Sequence, residues 1–271
     1  MQLKHRVNFD EMINQQIMVY SVPRTGSTLI WQCLTKIFTK VLKSHRNSIW
    51  DCGSGISIST KKQGAVLDYS CPCVITERDS VDCFFSQWRN DNHQSETLFQ
   101  KWLGIASENN SSAHKVIDNA SFNIKKFKEL CDTQMPLGSI RKVMVRFRRH
   151  LEDLKKIKIE YAGPVLVLQY EQFWNNYDYI FTNFEDFFNI TLSAETKTKI
   201  KSTTKSSVNK SIQKKLKKSG NYDFETHIHG GHIFLSEPGY SNKILSQKNL
   251  ERIQKLLECN VEEIMHIDLN K

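Results

Sequence analysis

The residues whose types and spacing best suit them to chemistry are Pro23-Arg24-Thr25-Gly26-Ser27-Thr28. They follow a short apolar, β-branched run ending at Val22, and they precede a helical pattern of Leu29, Ile30, Cys33, Leu34, Ile37 and Phe38. A strand that turns tightly into a helix leaves several backbone N–H groups without partners at the helix start, where the helix dipole adds partial positive charge. Gly26 lets the backbone approach a ligand closely, Ser27 and Thr28 add hydroxyl donors, and Arg24 adds a fixed positive charge. Such a loop is suited to holding a phosphate. It is not a nucleoside-triphosphate loop of the usual kind, because the first glycine and the lysine after the second glycine are both missing. An ordinary strand–turn–helix is the competing reading of this stretch alone.

The elements that must position this loop are those of an α/β protein. Val41 to His45 reads as a second strand, and Cys73 to Thr76 as a third, running into Glu77-Arg78-Asp79-Ser80. Asp79 or Ser80 can cap the helix that follows, with Val81, Phe84, Phe85 and Trp88 on its buried side. Helical patterns cover 96–109, 112–131 and 137–157. The run from Pro164 to Tyr170 is apolar enough to lie inside a parallel sheet. Residues 171–189 form a helix whose phenylalanines are core. Two basic helices follow near 193–204 and 207–218, then a Gly- and His-rich loop from Thr226 to Gly239, then an amphipathic helix over 246–258. Residues 46–64 read as a polar surface loop. Strands alternating with helices predict one domain, 1–271, with a central, mostly parallel sheet flanked by helices. Ligands of such sheets bind beyond the carboxyl ends of the strands.

Composition narrows the function classes. The chain has 271 residues, 39% of them hydrophobic and 25% charged, as in a soluble globular protein. Residues 1–16 lack the apolar centre of a signal peptide, and no apolar run approaches the ~18 residues of a membrane span, so a cytoplasmic protein is expected. Seven cysteines are an odd number without metal-ligand spacing, which predicts neither a disulfide framework nor a zinc site. The formal net charge of +9 is uneven: residues 197–218 hold nine lysines, and 141–150 hold five Arg or Lys. That excess favours anionic partners, although a lysine run is most often a solvated helix face.

Taken together, the loop Pro23 to Thr28 and the pair Arg78 and Ser86 resemble the two phosphate sites of sulfotransferases that use 3′-phosphoadenylyl sulfate. The short bacterial and cyanobacterial members with small-molecule acceptors are the most similar. By that resemblance Pro23, Arg24, Thr25, Gly26, Ser27 and Thr28 hold the 5′-phosphosulfate. Arg78 and Ser86, about two helical turns apart, hold the 3′-phosphate. Tyr170 looks like the family's tyrosine near the adenine, and Ser207 lies in a Ser-Ser pair where the family carries Thr-Ser. His229, Gly230, Gly231 and His232 fall in the late loop that closes on the 3′-phosphate, with histidines where the family has Arg-Lys-Gly. Nucleotide-binding elements are thus expected around 17–45, 73–90, 165–171 and 204–243. Segments 46–64 and 96–157 are expected to line the acceptor.

The resemblance also implies a mechanism. Lys43-Ser44-His45 looks like the element that supplies the base, so His45 is expected to accept the acceptor's proton. His227, His229 and His232, or a carboxylate, are the alternatives. Lys43 and Arg24 would neutralise charge growing on the sulfuryl and leaving oxygens. Arg24 stands where the family usually has lysine, and a planar fork is not equivalent to a point charge. The product would be adenosine 3′,5′-bisphosphate, and no metal is expected, although His227 and His229 alternate as two ligands on one side of an extended segment would. The expected partner is a small-molecule acceptor, such as a natural product or toxin scaffold, with no membrane and no specific nucleic acid. Homodimerisation is common in the family and stays open here. The rival readings are a phosphotransferase that uses ATP and a basic nucleic-acid-binding protein.

Overall fold

The structure, a computed structural model, describes residues 14–44, 57–58, 70–94, 128–129, 131, 135, 137–216, 222–229 and 237–268. The described chain falls into two compact units, one of residues 1–77 and 153–205, the other of 78–152 and 206–271.

The first unit is built on a parallel sheet. Its centre is β1 (Gln16–Ser21), every residue of which is buried. β2 (Lys40–Ser44) and β4 (Cys73–Glu77) pair with it in parallel on opposite sides, and β5 (Val165–Gln169) pairs in parallel with β4. The two-residue β3 (Ser57–Ile58) adds an antiparallel edge beside β2, within a stretch whose composition reads as loop. This is the α/β architecture expected, a four-stranded all-parallel sheet flanked by helices. β5 is not internal, however. Among the described residues it has one strand neighbour, and Val165, Leu166 and Val167 are only half-buried. A continuous apolar run therefore marks cover by helices here, not a central place in the sheet.

Strand alternation decides what each face does. Ile17, Val19, Val41, Val74 and Leu168 share one face and form a core with Ile30, Trp31, Cys33 and Leu34 of α1 (Ser27–Leu34). The helix stops at Leu34, where the Thr35 hydroxyl turns back to the Gln32 carbonyl, and Phe38 reaches the core after a turn. The aromatic segment is two helices, α4 (Tyr170–Phe173) and α5 (Tyr177–Phe188), broken where Asn175 takes a positive φ. Phe173, Phe181, Phe184 and Phe188 are core, as expected. α6 (Ala194–Thr204), capped by Ser193, completes this layer, and its Lys197 and Lys201 pair with Glu185 and Asp178.

In the second unit, Asp79 caps α2 (Ser80–Gln94) by accepting from the Asp82 N–H at 2.9 Å. Phe84 meets Phe147 of α3 (Leu137–Glu160), a helix whose last turns, from Asp153 on, belong to the first unit. α7 (Ser206–Lys215), the hairpin of β6 (Tyr222–Asp223) and β7 (Ile228–His229), α8 (Tyr240–Ile244), α9 (Gln247–Glu258) and α10 (Val261–His266) follow. Part of the basic cluster 141–150 has a structural use. Arg141 donates to the Ile267 carbonyl that ends α10, and Arg148 to the Leu257 carbonyl in the last turn of α9. Guanidiniums at helix C-termini satisfy orphan carbonyls and oppose the dipole.

No helix among the described residues is long and apolar enough to cross a membrane. Gly163 tests the sheet's packing. A Cβ there would lie 2.6 Å from the Ser70 carbonyl oxygen and closer still to that of Cys71. Because both atoms are backbone, Gly163→Ala should destabilise the protein by about 1–3 kcal/mol in urea unfolding.

Candidate functional site: a glycine loop and a buried polar stripe

The strand order places the loop 22–27 at the point where the sheet's connections reverse. From β1 the chain crosses to β2 on one side, and it later returns to β4 on the other, the kind of switch point beside which parallel sheets bind ligands. One hydroxyl ties the loop there. Thr25 Oγ1 lies 2.9 Å from the Val22 carbonyl and 2.7 Å from Thr76 Oγ1 at the end of β4. Thr25 has a single proton, and with that proton on Val22, Thr76 is the donor to Thr25. Both hydroxyls are buried, so the loop is fixed to two strands at once.

The backbone curls within the loop, with φ of 77° at Arg24 and 82° at Gly26. Gly26 is the N-cap of α1, and no side chain caps that terminus. The first N–H groups of the helix therefore point out of the loop without intrahelical acceptors. Glycine is required at position 26 on two grounds. Its φ is left-handed, and an added Cβ would sit 2.7 Å from Tyr170 Cδ2 and 2.9 Å from Phe173. The tyrosine expected near an adenine is thus packed beneath the loop, at the head of α4 and largely buried.

Lys43 completes this site. It shares the α1-facing side of the sheet with Val41, one residue from the end of β2, and is 6% exposed. Its Nζ donates to Thr28 Oγ1 at 2.6 Å, in the first turn of α1. That leaves the Thr28 hydroxyl proton free to turn outward and two ammonium protons undirected. Lys43 makes no ion pair among the described residues. Burial, and then the charge of Arg24, brings its pKa down from 10.5 to about 7. Lys43 is thus a buried amine with a second cation near it and no carboxylate bonded to it among the described residues.

The second unit carries a different polar set. Arg78 follows β4 directly, and its side chain is almost wholly buried against the fully buried Asp82, at 3.4 Å. Asp82, Ser86 and Arg89 fall at i, i+4 and i+7 of α2, one stripe of the helix. They are 0%, 8% and 2% exposed, so a polar stripe faces inward. Its charges act on the buried Tyr240 phenol. Burial raises that pKa first, Arg89 lowers it, Cys131 and Asp82 raise it, and Arg78 lowers it. The structure therefore buries Arg78 and Ser86 in one unit, as two members of a larger set. Asp82 and Arg89 are the members that motif reasoning missed. The helical repeat from Asp82 to Arg89, three polar residues on one stripe, is the signal that points to them.

The other expected residues are placed as follows. Ser207 is exposed in the first turn of α7, whose buried residues are Asn209 and Gln213. His229 lies in β7, while His45, Gly230, Gly231 and His232 fall outside the described residues. His227 and His229 do not alternate along an extended segment. His227 closes the β6–β7 turn with a φ of 57° and is buried beside Tyr222, because a turn between such short strands needs a left-handed residue. Among the described residues no group of His, Cys, Asp and Glu has the geometry of a metal site. The six described cysteines are free thiols. Comparison with models of known protein families and with curated proteins gives no match.

Two outcomes are expected from this geometry. Gly26→Ala should cost about 3 kcal/mol of stability and remove anion binding, measured by urea unfolding and calorimetric titration. For Lys43, a bound anion favours the ammonium, whereas the empty loop releases its proton near pH 7. Binding above that pH must take up a proton, so anion affinity should fall by up to about tenfold per pH unit as pH rises from 7. The stability of the empty protein should move the other way, rising from pH 7 towards 10.5, because the unfolded lysine holds its proton longer. Calorimetry at pH 8 in buffers of different ionisation enthalpy should register the proton uptake, and Lys43→Met should abolish it.

Proposed function

We propose that the protein is a sulfotransferase, moving a sulfuryl group from 3′-phosphoadenylyl sulfate to a hydroxyl or amine of a small-molecule acceptor. The observation that carries this reading is the buried Lys43 ammonium, bonded to Thr28 at the start of α1 and with no carboxylate partner among the described residues. It gives the loop Pro23 to Thr28 the character of a site for a multiply charged anion. The buried set Arg78, Ser86 and Arg89 supports a ligand with a second phosphate, which ATP and AMP lack at the 3′ position.

In the proposed reaction the acceptor's oxygen or nitrogen attacks sulfur in line. The bond from sulfur to the 5′-phosphate oxygen breaks, its electron pair leaves with adenosine 3′,5′-bisphosphate, and the acceptor's proton passes to a base. His45, next after β2 in the chain, is the proposed base, with the histidines at 227–232 as alternatives. Ser27, Thr28 and the loop N–H groups hold the 5′-phosphate, while Lys43 and Arg24 balance the charge that grows on the departing oxygen. Arg24 holds a permanent charge and gives up no proton, so of the two cations only Lys43 exchanges one at neutral pH. The acceptor class we favour is a natural product or toxin scaffold met in the cytoplasm, by a monomer or a homodimer.

Calorimetric titration with adenosine 3′,5′-bisphosphate, AMP and ATP tests the reading. The bisphosphate should bind at least about tenfold more tightly than AMP, and Arg78→Ala should remove that preference. Incubation with the sulfate donor and a panel of phenols, alcohols and amines should transfer label to one of them. Magnesium-dependent binding of ATP at equal strength would point to a phosphotransferase instead. Steeply salt-dependent affinity for any duplex would point to a nucleic-acid binder.

A further inference from the structure

Asp82 has more to hold than Arg78. Its carboxylate is fully buried and accepts from the Gly239 N–H at 2.7 Å, from the Ser241 N–H at 2.8 Å and from the Ser241 hydroxyl. The Arg78 guanidinium is a further donor, at the longer distance of 3.4 Å. These partners come from opposite ends of the second unit's sequence. Arg78 stands at the end of a strand, whereas Gly239 and Ser241 flank the N-terminus of α8, just after residues 230–236. Gly239 takes a φ of 72° there, the left-handed turn that lets the N–H groups of residues 239 and 241 converge on one carboxylate.

We propose that Asp82 is a positioning residue that sets the direction of the Arg78 fork and fastens the 239–241 turn to it, so that selection of a second phosphate depends on Asp82. The proposal rests on the sulfotransferase reading. Its physical basis is the sharing of one carboxylate. Three donors from the 239–241 turn hold Asp82 in place, and the Arg78 guanidinium meets that fixed carboxylate at 3.4 Å, which sets the direction of its fork. Ser86 lies one turn further along the same stripe of α2, and Arg89 adds a second guanidinium beyond it. Asp82 does not touch the second phosphate in this account. It fixes where the cation that does so can point.

The test compares adenosine 3′,5′-bisphosphate with AMP on wild type, Asp82→Asn, Ser241→Ala and Arg78→Ala. A structural defect would weaken both nucleotides alike, whereas misdirection of Arg78 weakens only the one with a 3′-phosphate. Asp82→Asn should lose about tenfold in bisphosphate affinity, with AMP affinity unchanged within about twofold. Ser241→Ala keeps the buried carboxylate and both N–H donors, so it should fold, and it should lose bisphosphate affinity in the same selective way but less. If Asp82→Asn does not fold, the Ser241→Ala result decides. Should either folded variant keep the full preference of the wild type, or lose both nucleotides in proportion, Asp82 is not a positioning residue. A wild type with no preference for the bisphosphate would overturn the sulfotransferase reading and this inference with it.

Discussion

A lysine ammonium buried at the start of a helix, with no carboxylate bonded to it among the described residues, is the constraint on which the first unit depends. Burying a charge costs several kcal/mol unless it is paired, so the surroundings of Lys43 must either accept a depressed pKa or provide for an anion. They do both. Thr28 takes one hydrogen bond, the uncapped N-terminus of α1 faces the same space, and Arg24 adds charge of the same sign. The remaining features of the loop serve to keep this arrangement in place. Thr25 and Thr76 bolt the loop to two strands, and Tyr170 and Phe173 fill the space under Gly26 so fully that no side chain fits.

The second unit solves a related problem with the opposite sign. There a carboxylate is buried, and the chain surrounds it with two backbone N–H groups, a hydroxyl and a guanidinium. Other guanidiniums of the same unit serve as caps, Arg141 and Arg148 lying seven residues apart on α3 and reaching the ends of two different helices. A count of basic residues alone treats these arginines as equivalent to the lysines of 197–218. Their surroundings do not. Some cations hold helix ends, some pair across α5 and α6, and Lys43 is buried with no acid bonded to it among the described residues.

What the sequence made legible follows from which interactions are local. Strand, glycine turn and helix at 17–34 could be read because hydrophobic period, turn chemistry and helix start all fall within one short window. Asp79 as a cap and the phenylalanines of α5 as core were legible for the same reason. The capping box of α10, Asn260 with Glu263, was equally local and could have been found. The partners of Asp82 could not, because Gly239 and Ser241 stand 157 and 159 residues away. Nor could the edge position of β5, since an apolar run records burial without recording which neighbour supplies it. Lys43 was readable as a charge near the loop, but its bond to Thr28 depends on the pairing register of β2 with β1.

The thiols described above give the molecule a built-in clock for opening. Cys33, Cys71 and Cys73 are buried in the first unit, Cys83 and Cys131 in the second, and Cys259 alone of the described six is partly accessible. Burial pushes the Cys33 thiol up to about 12, so at neutral pH it is almost wholly in the unreactive protonated form while the fold is closed. Of the described six, an alkylating reagent would therefore mark Cys259 early and the other five only as each unit breathes. Mass spectrometry of the labelled peptides would then time the two units separately within one unmodified chain.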